Sequence, residues 1–451
     1  MILRIRRFKI LKILALFFMF LMPGLAGAFA QGPLLSGSTA ADSPPKAEQA
    51  GVTPPPASGP AGPAEVGQAG GGVTDLKPSP AALTLGPEID AKYDKGIALM
   101  YRLEFDKAEA EFRDIVRLSS SSPAGYFALS ALSWWRSAQN FDVNASSSAY
   151  EEEFMRHVEE TAGIAEAMIK KNISPAEAYF FMGSAYGLKG RWYAVERKWF
   201  KAYIYGNRGR KMLKKCVKLN PNIYDAYLGL GIFDYFADTL PGILSVPALL
   251  FVHGDRAHGL REVRLARDKG RFFSVEARIF LIEILTRHEK DFKQAIIEAA
   301  ALRETDPSNS FLRLVEILTF IHSQDWPRAL DESLKFITAN SRAENPWLAQ
   351  QMALVYLSAG DSKLALHQPQ EAAAWFTQGI ENTAYPGKGW ISYCYLRRAQ
   401  AFDLLGSRED AVKDYQMALE RDNFWDSRLY AKKGLKKAPD FKEIYRQLIE
   451  E

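Results

Sequence analysis

Six histidines, His157, His253, His258, His288, His322 and His367, are the side chains of this sequence best suited to acid–base or metal chemistry. None stands in a His-Glu-x-x-His pattern, which would set two imidazoles one helical turn apart, and no Cys-x-x-Cys pair exists. His253, His258 and Glu262 would approach one another if a helix began early in that stretch. A histidine pair beside Asp255 and Arg256 at a helix start more often fastens a loop, so no metal and no cofactor is expected there. Gly187-Leu188-Lys189-Gly190 lacks the Gly-Lys-Ser/Thr ending and the preceding strand of a phosphate loop. It reads as a turn between two helices. No Gly-x-Ser-x-Gly elbow is present either. No catalytic residue is therefore named, and the chain reads as a protein that is not an enzyme.

Two stretches suggest surface chemistry instead. From Lys189 to Lys218 there are eleven Lys or Arg and one acid, Glu196, with Trp192, Tyr193, Trp199, Phe200, Tyr203 and Tyr205 interleaved. A basic and aromatic run suits nucleic acid, but an exported chain meets none, and nucleic acid is set aside. An anionic membrane surface or an acidic partner fits better. The plain alternative is a long helix with its rings packed inward and its cations in water. Between about 237 and 253 lies an apolar segment with Leu240, Ile243, Leu244, Val246, Leu249, Leu250, Phe251 and Val252. Each such side chain gains roughly 1.5–3 kcal/mol on leaving water, so the segment must fold back, meet a partner or enter a lipid interface.

The elements that would carry these residues show a helical period. Ala399, Phe402, Gly406, Ala411, Tyr415 and Ala418 follow one another at offsets of 3, 4, 5, 4 and 3. Gly96, Leu99, Ala108, Phe112 and Ile115 repeat the pattern earlier, apart from the turn glycine. A small residue at the eighth position lets two antiparallel helices cross closely, and the aromatic at position 24 fills the groove beside it. Ser174 before Pro175 reads as a helix cap. Tyr179, Met182, Gly183 and Tyr186 fall in register, as do Leu230 and Gly231, then Gly259, Val263 and Ala266 beyond the apolar segment. Glu283 and Ile317 stand where Gly or Ala is expected, which predicts wider crossings in those units.

These residues resemble the tetratricopeptide repeat superfamily, strongly over 392–422 and fairly over 89–121 and 175–237. The resemblance covers about four-fifths of the chain and implies an all-α, right-handed superhelical solenoid of about seven helix pairs that binds other proteins. Gly229-Leu230-Gly231-Ile232-Phe233, Leu240-Pro241 and the run from Gly254 to Leu260 are also similar to a pattern in the Iml-type family of such repeat proteins. That second resemblance implies a helical protein linked to lipid bodies or membranes, with no known catalysis.

The chain has 451 residues, too many for one ordinary core unless the array is elongated. Residues 1–30 read as a secretory signal: Arg4, Arg6, Arg7, Lys9 and Lys12 precede the apolar run from Ile13 to Met22, and Ala28-Phe29-Ala30 suits cleavage before Gln31. An uncleaved membrane anchor is the alternative. Without these five bases the formal +4 becomes −1, so the basic balance belongs to the leader. Residues 31–87, rich in Pro, Ala and Gly, read as a disordered linker. Residues 88–451 read as the repeat domain, with a capping helix pair near 426–451. Cys216 and Cys394 lie several repeats apart, where a solenoid unit touches mainly its neighbours, so both are expected buried and reduced.

The expected function is an exported, periplasmic or envelope-bound scaffold for a protein or peptide partner, held on the face made by the first helix of each pair. Tyr126, Trp134, Tyr179, Tyr186, Tyr227 and Asp234 are the candidates for that face. The competing reading is a peripheral lipid binder that inserts Leu244, Leu249, Leu250 and Phe251 and docks Lys211, Lys214 and Lys215 on anionic headgroups. Flotation with anionic liposomes separates the two. Lipid binding requires that Leu249→Asp with Leu250→Asp abolish flotation while far-ultraviolet dichroism stays constant, and unchanged flotation eliminates it.

Overall fold

The structure, a computed structural model, describes residues 83–139, 148–196, 198–239, 254–341, 345–382, 389–421 and 426–450. The leader, nearly all of the linker and the apolar residues 240–252 lie outside them, and with these the lipid-contact candidates Leu244, Leu249, Leu250 and Phe251. Among the described residues eighteen α-helices follow one another. They are α1 (Pro87–Tyr101), α2 (Phe105–Leu118), α3 (Ala124–Gln139), α4 (Ser148–Lys170), α5 (Pro175–Val195) and α6 (Trp199–Leu219). Then come α7 (Ala226–Thr239), α8 (Arg256–Lys269), α9 (Ser274–Glu283), α10 (Phe292–Thr305), α11 (Ser310–His322) and α12 (Trp326–Asn340). The chain continues through α13 (Pro346–Ala365), α14 (Pro369–Glu381), α15 (Gly389–Leu404), α16 (Arg408–Glu420), α17 (Ser427–Lys436) and α18 (Phe441–Glu450). Among the described residues there is no strand, and no helix is long and apolar enough to cross a membrane.

Each helix packs chiefly on the one before and the one after. The expected seven or so units resolve into eight successive pairs and the terminal pair α17–α18. Side-chain caps set several starts: Asp255, Asn309 and Asn345 accept first-turn N–H groups of α8, α11 and α13, each worth about 1 kcal/mol. Ser174 departs from expectation. It adopts a left-handed backbone, φ 39°, and its side chain makes no cap hydrogen bond, because the same turn must also close α4. Pro175 does open α5.

The eighth-position rule holds at Gly96, which lies under the ring of Phe112. Gly360, which the sequence reading did not single out, lies likewise under the ring of Phe376, and a Cβ at either glycine would collide with the ring. At the α7–α8 crossing the approach is between backbones. A Cβ on Gly231 would sit 2.6 Å from the Gly259 carbonyl oxygen, and one on Gly259 would sit 2.5 Å from the Tyr235 nitrogen. Val263 packs there as the register predicted, despite the long connection between the two helices. Gly187-Leu188-Lys189-Gly190 is corrected by the structure: it is not a turn but lies inside α5. Helix α5 runs to Val195 and its partner α6 begins at Trp199. The glycines serve contact, since α5 and α6 pack so closely that a Cβ on Gly190 would meet the Gly206 nitrogen at 2.8 Å.

Contacts are not confined to neighbouring units. The described residues belong to one compact unit, in which α1–α3 meet helices far along the chain. Tyr93 packs on Phe272 with ring centroids 4.7 Å apart, Phe105 on Trp347 at 4.9 Å and Trp135 on Phe311 at 5.2 Å. Arg102 pairs with Asp306 at 2.8 Å, Arg271 with Asp90 at 3.0 Å, and Gln351 donates to Gln139. Inward rings on both sides of this junction leave water together, which a strictly nearest-neighbour stack does not allow. Cys216 and Cys394 are free and buried, and burial pushes the Cys216 thiol up to about 12. At the far end α18 stacks Phe441 on His367, 3.7 Å between centroids, and Gln400 donates to Gln447 at 2.7 Å.

The crossing at Gly231 yields a stability test by urea denaturation. Gly231→Ala should cost about 1–3 kcal/mol, since overpacking exceeds the gain of about 1 kcal/mol in helix propensity. Gly163→Ala on α4, where nothing lies within 4 Å of the new Cβ, should stabilise by about 0.5–1 kcal/mol. Shifts of the same sign in both variants would contradict the close crossing.

Candidate functional site

The Gly231–Gly259 crossing brings together three side chains that the sequence scatters. Asp234 lies one turn beyond Gly231 on α7, while His258 and Glu262 are one turn apart on α8. His258 Nδ1 lies 3.7 Å from Asp234 Oδ2 and 3.5 Å from Glu262 Oε2. Asp234 is turned by Arg210, whose Nε donates to Oδ1 at 2.8 Å. The first turn of α8 is held by the Asp255 cap and by Arg256, which donates to Glu289 at 2.9 Å, where the Tyr235 hydroxyl also donates at 2.7 Å. Burial, and then the charge of Asp234, pushes the Glu262 carboxyl up to about 7. Sequence reasoning grouped His253, His258 and Glu262. His253 lies outside the described residues, and the third member here is Asp234. The signal that could have found it was the pair of in-register glycines, one turn before Asp234 on α7 and beside His258 on α8.

A second feature runs along α5 and α6. Tyr179, Tyr186 and Tyr193 recur every seven residues on α5, all half-buried, which puts them on one stripe. Tyr205 of α6 meets Tyr186 at 5.9 Å and Tyr193 at 5.5 Å between centroids. Cations lie over the rings: Lys215 over Tyr179 at 5.2 Å, Lys201 over Tyr193 at 5.3 Å, Arg208 over Tyr205 at 5.3 Å. Phe200 at the start of α6 is 66 % exposed, the most exposed large apolar side chain among the described residues. Lys211, Lys214 and Lys215 all point to solvent.

The remaining candidates go elsewhere. Trp134 is buried, packed edge-on against Trp192 at 5.9 Å and covered by Arg191 at 4.6 Å, which is itself tied to Glu276 at 2.9 Å. Its ring is part of the packing between α3 and α5. Tyr126 is half-buried beside His157, 6.4 Å between ring centroids. The Tyr227 hydroxyl donates to the Pro221 carbonyl at 3.2 Å and its ring lies near Tyr224. Tyr179 and Tyr186 thus share a surface, whereas Trp134 and Asp234 belong to other environments.

No family profile and no curated protein matches the sequence. Among solved structures, similarity extends to a tetratricopeptide repeat protein from Parabacteroides merdae ATCC 43184, at 11 % identity and TM-score 0.29, over 78 % of this chain and 98 % of that one. It extends also to the Rap protein complexed with competence and sporulation factor, at 12 % identity and TM-score 0.40, over 80 % and 99 %. Yeast Tom70 matches at 14 % identity and TM-score 0.39, over 80 % and 83 %. Among the described residues the chain is an all-α array of successive helix pairs with close crossings at small residues.

Glu283, flagged as out of pattern, occupies a buried charge cluster. A π-helical segment, Ile284–Glu289, follows it directly. Arg287, buried beside it, donates to His322 Nε2 at 3.1 Å, and that geometry needs a neutral imidazole. Burial pushes His322 well down and His288 to about 4, with Arg287 adding to both. Burial pushes Glu283 up to about 7, against the pull of Arg287 and Arg191. Glu283 therefore favours folding fully below its ordinary value of 4.5 and loses that contribution as pH rises through about 7. The loss approaches about 3 kcal/mol. The two histidines act in the opposite sense below their ordinary range, so the comparison must be with a variant. Between pH 5 and pH 8, wild type should lose about 2–2.5 kcal/mol more stability than Glu283→Gln in denaturant titrations. Identical pH slopes would show that this carboxyl does not titrate as described.

Proposed function

We propose that this chain is a non-catalytic helical-repeat scaffold, exported to the cell envelope, that binds a protein or peptide partner. The tyrosine stripe on α5 carries the reading. Tyr179, Tyr186 and Tyr193 line up with Tyr205 under a set of solvent-facing cations. Tyrosines offer large amphipathic contact area with only two side-chain torsions to fix, which is why they dominate recognition surfaces. The cations above them favour a partner segment that carries carboxylates.

The first helices of the pairs were the expected binding face. Of their rings, Tyr93 on α1 and Trp135 on α3 are taken up within the same chain, by Phe272 in the turn before α9 and by Phe311 on α11. The α5–α6 surface keeps its aromatics half-open. The basic n-region, apolar run and Ala28-Phe29-Ala30 support export. The lack of a nucleophile elbow, phosphate loop or His-Glu-x-x-His pattern supports a binding role.

A crosslinking pull-down from the envelope fraction tests this. Wild type should recover a discrete set of partners, and Tyr179→Ala with Tyr186→Ala should lose about tenfold or more of them at unchanged helicity. The recovered chain should begin at Gln31. An unchanged partner set in the double variant removes the stripe from the reading, and recovery only from the cytosol removes the envelope.

A further inference from the structure

We propose that Asp234, His258 and Glu262 form a binding site for a divalent transition-metal ion, clamping α7 to α8. One ligand atom from each of the three lies within 4.8 Å of the others. His258 Nδ1 is 3.5 Å from Glu262 Oε2 and 3.7 Å from Asp234 Oδ2. Both separations exceed the reach of a good hydrogen bond, about 2.7–3.2 Å. They approach the edge of a tetrahedron whose metal bonds are about 2.0–2.1 Å, an edge of about 3.4 Å. A loop fastening, the ordinary reading of this histidine, would have closed those distances.

Glu262 is the independent sign. It is 9 % exposed, and its Oε2, the atom that faces the histidine, has no hydrogen-bond partner among the described residues. An orphan acceptor at that depth is costly, and a metal ion satisfies it. The support around the donors is of the kind metal sites use: Arg210 holds the other oxygen of Asp234 at 2.8 Å, which fixes the direction of Oδ2. One imidazole nitrogen and two carboxylate oxygens suit Zn2+ or a similar ion. Calcium takes six to eight oxygens, more than these three side chains offer.

The test uses the full chain without an affinity tag, stripped with a chelator and titrated with Zn2+ against a chromogenic competitor. One equivalent should bind, and His258→Ala and Glu262→Gln should each weaken it by about tenfold or more. His367→Ala, at the far end of the array, should bind as wild type does, and Ca2+ should not displace the zinc. The His258 side chain is 46 % exposed, so its removal leaves the fold intact, and dichroism will report if Glu262→Gln does not. In that event His258→Ala decides alone. Failure to take up a stoichiometric equivalent, or equal affinity in wild type and His258→Ala, overturns the proposal.

Discussion

Backbone-to-backbone approach between neighbouring helices is the constraint on which this structure depends. Where Gly231 faces Gly259, neither position has room for a methyl group. The helices then lie close enough for side chains one turn away to meet across the gap. Where Gly96 and Gly360 face rings instead, Phe112 and Phe376 occupy the space that a Cβ would need. Small residues alone stabilise little. They allow dense packing of the large residues around them, and that packing supplies the apolar burial.

A second consequence follows from the aromatic content of the first three helices. A repeat array held only by nearest neighbours could open by small rotations at each interface. Here Tyr93, Phe105 and Trp135 engage rings on α11, α13 and the turn before α9. Ion pairs Arg102–Asp306 and Arg271–Asp90 lie on the same junction. These contacts tie units near the start of the array to units near its middle and restrict such rotations. They also occupy the inward aromatic surface, leaving the half-open tyrosines of α5 and α6 as the better candidates for recognition.

Legibility in the sequence varied with the kind of interaction. The helix pairs were readable because their period is local and recurs, and Glu283 was recognisable as an exception because it broke that period. The two cysteines could be read as unpaired from their separation by several repeats, and both are free. Gly187 and Gly190 were misread, because glycine punctuates turns and permits close helix contact equally well. Only the partner helix, with Gly206 and Gly209 in the facing positions, distinguishes these uses. Trp134 was readable as an aromatic on a first helix but not as a buried one, since its covering groups, Arg191 and Trp192, come from another unit.

The amino-acid order by itself determined the helical class, the register of the clearer pairs and some of the close crossings, Gly96 and Gly231 among them, because these follow from the repeated local spacing. Tertiary structure decided which surfaces remain open and which polar groups meet. Asp234 joins His258 and Glu262 only because two glycines 28 positions apart come into contact. The junction of α1–α3 with α9–α13 depends on the rotation accumulated over successive interfaces. No single repeat encodes that sum, so pairings that span 200 residues, such as Arg102 with Asp306, appear only once the array is assembled.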